Sequence, residues 1–288
     1  MTRPTFGVFY AGAGPWVTGD GATALVREAE THGFSALWAI DHAVLPTNFA
    51  PRYQEAGGAW AVPDDYPIAD PLTWLAFVAA VSPTLRLGTA VMAAPTRSPV
   101  VLAKQAATLD VLAGGRLTLG LGGGWLPEEF EAVGVPLAER MARLEEAVDV
   151  LRTLWRDPVA SYAGRFTRFT EVVSSPKPPR GTIPIVLGGR TPAGARRAGR
   201  LAEGFFPTGR DPEELSDLFD IARKAAADAG RDPDALELIA GGARDAKGAE
   251  ALLALGVTHI VTSTRAATPA ELPASLDAYH QRVIAPLG

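Results

Sequence analysis

Asp41 and His42 stand side by side at the end of a short apolar run. A carboxylate next to an imidazole suits proton transfer, because histidine titrates near neutral pH. The same pair can equally be an aspartate that caps a turn beside an exposed histidine, and spacing does not choose between the two. The remaining histidines promise less chemistry. His32 and His280 fall on stretches expected to be outer helices, and His259 falls within a strand, where a satisfied packing role is expected. No two histidines share a metal-ligand spacing and the chain has no cysteine, so no metal site, thiolate nucleophile or disulfide is expected.

Two glycine-bearing segments suggest close approach of a ligand. Gly188-Gly189-Arg190 leads into Thr191-Pro192, the signature of a helix start. Unpaired backbone N–H groups of the loop and first helical turn converge there, and the helix dipole and Arg190 add positive potential. A phosphate is the natural guest, and a capped helix with a solvated arginine is the plain alternative. The run Gly120-Leu121-Gly122-Gly123-Gly124-Trp125 would let backbone approach a flat ring or an anion without Cβ clashes. It lacks the dinucleotide-binding spacing, and such runs also serve packing. Trp125 fits either a ring wall or the core.

These residues need elements to hold them, and the chain supplies a regular rhythm. Strands are expected at 5–10, 35–40, 85–92, 116–121, 183–187, 204–206, 235–240 and 257–262. Helices are expected between them at 22–31, 71–81, from the Ser98-Pro99 start to Gly114, at 141–155, at 192–202 after Thr191, from the capping box opened by Asp211, at 246–254, and after Thr268. Residues 158–182 break the rhythm as a crossing insertion with a small hairpin around 162–173. Eight strands, each followed by a helix, imply a parallel sheet closed into a (β/α)8 TIM barrel in a single domain over 1–288; an open doubly wound sheet is the alternative. A barrel carries its chemistry on the loops after its strands. The candidate residues above all lie at such strand ends.

Composition narrows the function classes. Of 288 residues, 47% are hydrophobic and 20% charged, a globular balance. The net charge of −5, with basic residues scattered, argues against a nucleic-acid partner. No apolar run approaches the ~20 residues that span a bilayer, and residues 1–10 lack a signal-peptide layout. A soluble cytoplasmic protein, without nucleic acid or membrane as partner, is the expectation.

Several segments together resemble the luciferase-like monooxygenase superfamily, and especially its F420-dependent oxidoreductases. They are Phe34 through His42, Arg86 through Val91 with Arg97-Ser98-Pro99, the long run Leu102 through Trp125 followed by Glu129-Phe130 and Gly134, and Pro184 through Gly189 with the stretch 195–204. The match spans about residues 5–210. The resemblance implies a TIM barrel that holds coenzyme F420, or alternatively FMN, across its mouth, with the phosphate at Gly188, Gly189, Arg190 and Thr191. It implies that Asp41 and His42 face the ring as catalytic and binding groups, that a cis peptide joins Ala90 and Val91 behind it, and that Gly122, Gly123 and Trp125 flank it. Arg210 matches a region where relatives bind an anionic substrate group, and a homodimer is the family habit. One position departs from the pattern: sugar-phosphate dehydrogenases of this family carry a carboxylic acid where this chain has Trp125, which puts that activity in doubt and leaves His42 as the acid or base. The activity implied is hydride transfer between the deazaflavin and a small organic substrate. The rivals are an FMN-dependent monooxygenase, a non-catalytic flavin-binding homologue, and a lyase or isomerase gripping a phosphorylated substrate. The aromatic residues Phe49, Tyr53, Trp60 and Tyr66 of the long loop 45–66 suggest an apolar pocket, although they can equally pack the loop down.

Overall fold

A computed structural model describes residues 3–47, 65–207 and 212–288. Its strands, in chain order, are β1 (Thr5–Ala11), β2 (Ala36–Ala39), β3 (Arg86–Thr89), β4 (Met92–Ala93), β5 (Leu117–Gly122), β6 (Ala160–Ala163), β7 (Arg168–Val172), β8 (Ile185–Gly189), β9 (Gly204–Pro207), β10 (Glu237–Gly241) and β11 (His259–Ser263). The helices are α1 (Gly19–Thr31), α2 (Pro71–Val81), α3 (Pro99–Leu112), α4 (Pro127–Ala132), α5 (Arg140–Arg156), α6 (Pro192–Leu201), α7 (Pro212–Asp228), α8 (Ala246–Ala254) and α9 (Leu272–Tyr279).

The strands pair in parallel around a closed ring: β1 with β2, β2 with β3, β3 and β4 both with β5, then β5 through β8, β9, β10 and β11 back to β1. β3 and β4 are two halves of one barrel strand, interrupted at Ala90–Val91, whose peptide bond is cis. Counted that way, the described residues build the expected eight-stranded (β/α)8 barrel. The insertion forms an antiparallel hairpin of β6 and β7 against α5.

Alternation along each strand sorts side chains into two layers. Leu37, Leu87, Leu119, Ile185, Phe205 and Leu238 point outward and pack under the helices. The apolar stripe of α5 is Met141, Leu144, Val148, Leu151 and Trp155; the last four are buried on them and Met141 is partly buried. Trp38, Val186, Phe206, Ile239 and Val261 point inward and fill the barrel. A polar plug closes the end from which the strands start. Arg86 bonds both Glu237 oxygens at 2.6 Å and Thr118 at 2.9 Å, and its guanidinium lies over the Trp38 ring. Burial alone would raise the Glu237 carboxyl, but the Arg86 pair overrides it and holds the group below its usual range. His259 sits beside this plug, 1% exposed.

Some boundaries differ from the pattern reading, each for a local reason. β8 runs on to Gly189, because Gly188 and Gly189 pair with Phe206 and Pro207. Ser98 holds the N-cap of α3 without a capping side-chain bond, so Pro99 at the first position carries that start. Residues 268–271 fold as a turn, and α9 begins only at Leu272. Asp211, expected to cap α7, lies outside the described residues. The short helix α4 answers to no element read from the sequence.

Candidate functional site

Val91, just past the cis bond, shapes the barrel mouth. A Cβ on Gly122 would lie 2.7 Å from a Val91 methyl, and one on Gly188 would lie 2.9 Å from both methyls. Neither contact is one that real side chains make, so these two glycines are required to seat Val91. Gly123 is likewise closed off by Met141, and Gly124 by Phe130. Much of the glycine run is therefore explained by packing before any ligand is considered.

The two acids at the mouth have different partners. Asp41, its side chain 3% exposed, is clamped by Arg97: Nη1 reaches Oδ2 at 2.7 Å and Nη2 reaches Oδ1 at 2.8 Å. The Ala93 N–H donates a third bond to Oδ2 at 3.0 Å. Arg97 also contacts Asp70 at 3.4 Å. Burial would lower the Arg97 guanidinium, but Asp41 and then Asp70 override this and leave it raised. Burial pushes the Asp70 carboxyl up, and the Thr73 N–H and Arg97 together hold it below its ordinary value. The clamp ties the β2 exit to the β3–α3 loop and the start of α2.

Glu129 on α4 is the second acid, 4% exposed. It accepts the Ala43 N–H at 2.7 Å on Oε1, and its Oε2 lies 3.2 Å from His42 Nδ1. Trp125 stands edge-on to the His42 ring, with centroids 6.4 Å apart, and is 36% exposed. The fold thus brings Asp41, His42 and Trp125 to one side of the mouth, with Val91 and its glycines adjoining. Glu129 and Arg97 were not read as site residues from sequence. A signal existed for the first: Pro127-Glu128-Glu129 is a helix start with acids in the first turn.

On the other side, Thr191 caps α6 by accepting the Gly194 N–H at 3.1 Å. Pro192 has no N–H, so Ala193 carries the first-turn donor that the helix itself does not use. Gly189 and Gly194 face one another: a Cβ on either would stand 3.4–3.5 Å from the other's Cα. The result is a helix N-terminus where, among the described residues, a Cβ on Gly189 would meet only backbone and the nearest side-chain atom to one on Gly194 is Thr191 Oγ1 at 3.5 Å. Arg190, Thr191 and Ala193 around it are exposed.

Between these sides, Ala13, Ile40 and Leu126 form a small buried cluster, with Phe9, Tyr10, Leu45, Tyr66 and Ile68 packed against it. Tyr10 has φ 62°. Burial raises the Tyr66 phenol, so it stays protonated across ordinary pH. Arg210, Phe49, Tyr53 and Trp60 lie outside the described residues. His32 and His280 are away from the mouth, joined by a 2.8 Å contact of His280 Nδ1 with the His32 carbonyl. His259 is a satisfied interior group. Trp38 can only donate, so its 2.9 Å bond makes His259 Nε2 the acceptor, and Nδ1 sits 2.7 Å from Thr5 Oγ1. Burial pushes its pKa down to about 3.

The sequence profile of the luciferase-like monooxygenase family matches residues 6–282. An uncharacterised protein of Mycobacterium tuberculosis is 34% identical over 212 residues, 73% of this chain and 74% of its own length. An F420-dependent glucose-6-phosphate dehydrogenase of Nocardia farcinica is 33% identical over 216 residues, 73% of this chain but only 60% of its own length. Among solved structures, an F420-dependent secondary alcohol dehydrogenase superposes with a TM-score of 0.81 at 18% identity, covering 99% of each chain. A monooxygenase of Streptomyces bottropensis superposes with a TM-score of 0.76 at 22% identity, covering 99% of this chain and all of the other. Among the described residues no helix is long and apolar enough to cross a membrane.

Proposed function

This chain belongs to the luciferase-like monooxygenase family, and from that premise we propose that it is an oxidoreductase that uses coenzyme F420 to transfer a hydride to or from a small organic substrate. The observation that carries the reading is the close approach of Gly189 and Gly194 at the start of α6, where among the described residues a Cβ on Gly189 would meet only backbone. It fits the phosphate of a deazaflavin or of FMN: backbone donors, a helix N-terminus and Arg190 all favour an anion there. Val91, Gly122, Gly123 and Trp125 would wall the ring, and Ala90 would lie beneath it. When bound, the deazaflavin supplies the hydride-carrying carbon.

The chain's own residues then divide the remaining work. Asp41 has both oxygens engaged by Arg97 and Ala93, which suits a fixed hydrogen-bonding edge for the ring better than a proton carrier. His42 is the group proposed to give or take the substrate's proton. The Ile40 and Leu126 cluster offers an apolar wall that excludes water. F420 is favoured over FMN because the 33% identical relative is F420-dependent. Its sugar-phosphate substrate is not carried over, since Trp125 cannot exchange a proton near neutral pH.

Equilibrium binding of F420 and FMN to the purified protein, side by side, tests the reading. Micromolar or tighter binding of F420 is expected, about −8 kcal/mol or better, with FMN at least tenfold weaker. If FMN binds more tightly and its reduced form consumes oxygen in the presence of the protein, the monooxygenase reading replaces this one.

A further inference from the structure

We propose that Glu129 is a positioning residue that fixes the tautomer of His42, which rests on the reading of His42 as the proton-transferring group. The geometry is that of a two-handed acid. One oxygen is committed to the Ala43 N–H at 2.7 Å, and this bond orients the carboxylate relative to the β2 exit. The other faces His42 Nδ1 at 3.2 Å. A carboxylate accepts and does not donate, so Nδ1 carries the proton whether the ring is neutral or charged. Nε2 is then the nitrogen that loads and unloads a proton.

Burial sharpens the argument. Glu129 is 4% exposed, and a buried carboxylate is costly unless its lone pairs are engaged. Among the described residues no lysine or arginine pairs with it, and His42 is its ion-pair partner. Asp41, the residue before His42, is held by a guanidinium instead. The neighbouring acids thus differ in kind. Asp41 has a permanent cation, whereas Glu129 faces a ring whose charge changes during a proton transfer.

The substitution Glu129→Gln separates this role from a merely structural one. The Ala43 N–H at 2.7 Å requires an oxygen opposite it, so the amide nitrogen of the glutamine must face His42. An NH2 group donates, which forces Nδ1 to become the acceptor and moves the neutral ring's proton to Nε2. Volume and the Ala43 bond are both kept, so the fold should survive. The measurement is nitrogen NMR of the full-length protein labelled in its histidine rings, with His42→Gln used for assignment; the chain has 4 histidines, so the spectrum is simple. The wild type should show His42 protonated at Nδ1, and Glu129→Gln should show it protonated at Nε2. In parallel, reoxidation of reduced F420 by cyclohexenone or menadione should fall about 100-fold in kcat for Glu129→Gln, with KM within about threefold and partial recovery in Glu129→Asp.

A wild-type ring protonated at Nε2 overturns the proposal even if the variant does not fold. So does an unchanged tautomer in folded Glu129→Gln. A switched tautomer with undiminished turnover supports the tautomer lock and refutes instead the premise that His42 carries the proton.

Discussion

Two adjacent glycines at the end of β8 should respond oppositely to the same added methyl group. A Cβ at Gly189 meets the Gly194 Cα at 3.4 Å and nothing closer, an ordinary van der Waals contact. Gly189→Ala should therefore fold normally, and replacing a glycine at a compatible site tends to stabilise slightly by restricting the unfolded chain. The methyl nevertheless stands over the first turn of α6, in the floor of the proposed phosphate notch. A phosphate pushed off one charge-assisted backbone bond loses about 2 kcal/mol, or roughly thirtyfold in Kd. At Gly188 the methyl would lie 2.9 Å from both Val91 methyls, so Val91 must move. Overpacking of this kind costs about 1–3 kcal/mol of stability. Fluorescence titration of F420 gives Kd, and calorimetry gives Tm, for both variants. The expected pattern is an unchanged Tm and a thirtyfold weaker Kd for Gly189→Ala, against a lowered Tm for Gly188→Ala. Unchanged F420 affinity in a folded Gly189→Ala protein would refute the notch as the phosphate site.

Two further outcomes follow from the histidines. His42→Ala should leave F420 affinity within a few-fold while turnover of the same probes falls ~10²–10⁴-fold, and undiminished single-turnover transfer would remove His42 from the chemistry. His259 is held neutral, with its pKa at about 3 when folded against 6.5 when unfolded, so the unfolded chain takes up the proton first as pH falls. Its contribution to stability is complete above pH 6.5 and declines toward pH 3 by about 1.4 kcal/mol per pH unit. Urea unfolding across that window should show a shallower decline in His259→Gln than in the wild type, and equal slopes would contradict the assignment.

The barrel was legible because each strand is a short apolar run between turn signals and each helix has an apolar period. What escaped the pattern is what depends on partners far along the chain. α4 has six residues, too few to show a period, yet it carries Glu129 to a histidine 87 positions earlier. The Asp41–Arg97 clamp spans 56 positions and joins two loops whose spacing says nothing of contact. The apolar run ends at Leu187, and glycine disfavours strands, yet tertiary pairing with Phe206 and Pro207 carries the strand through Gly188 and Gly189. His259 was readable as packing because a histidine inside an apolar strand must be satisfied locally, and Thr5 and Trp38 do so.

The glycine run shows why residue type alone cannot assign a binding role. Gly122 and Gly188 would be required with no ligand at all, since Val91 already occupies the space their side chains would fill. Gly189 differs, because among the described residues a side chain there would meet only the Gly194 backbone. Charge points the same way. The β2 and β3 exits set Asp41 and Asp70 on the Arg97 guanidinium, with Glu129 against His42 beside them, while the β8 exit carries Arg190 and the positive end of α6. The proposed cofactor, with a phosphate at one end and a polar, largely uncharged ring at the other, would be favoured with its phosphate toward Thr191 and its ring edge toward Asp41 and His42. Reversing it would set the phosphate against three carboxylates, of which Arg97 pairs with Asp41 and Asp70 and leaves Glu129 facing only a histidine. The polarity of the barrel rim, rather than the glycines as such, is therefore what supports the proposed phosphate-tailed redox cofactor.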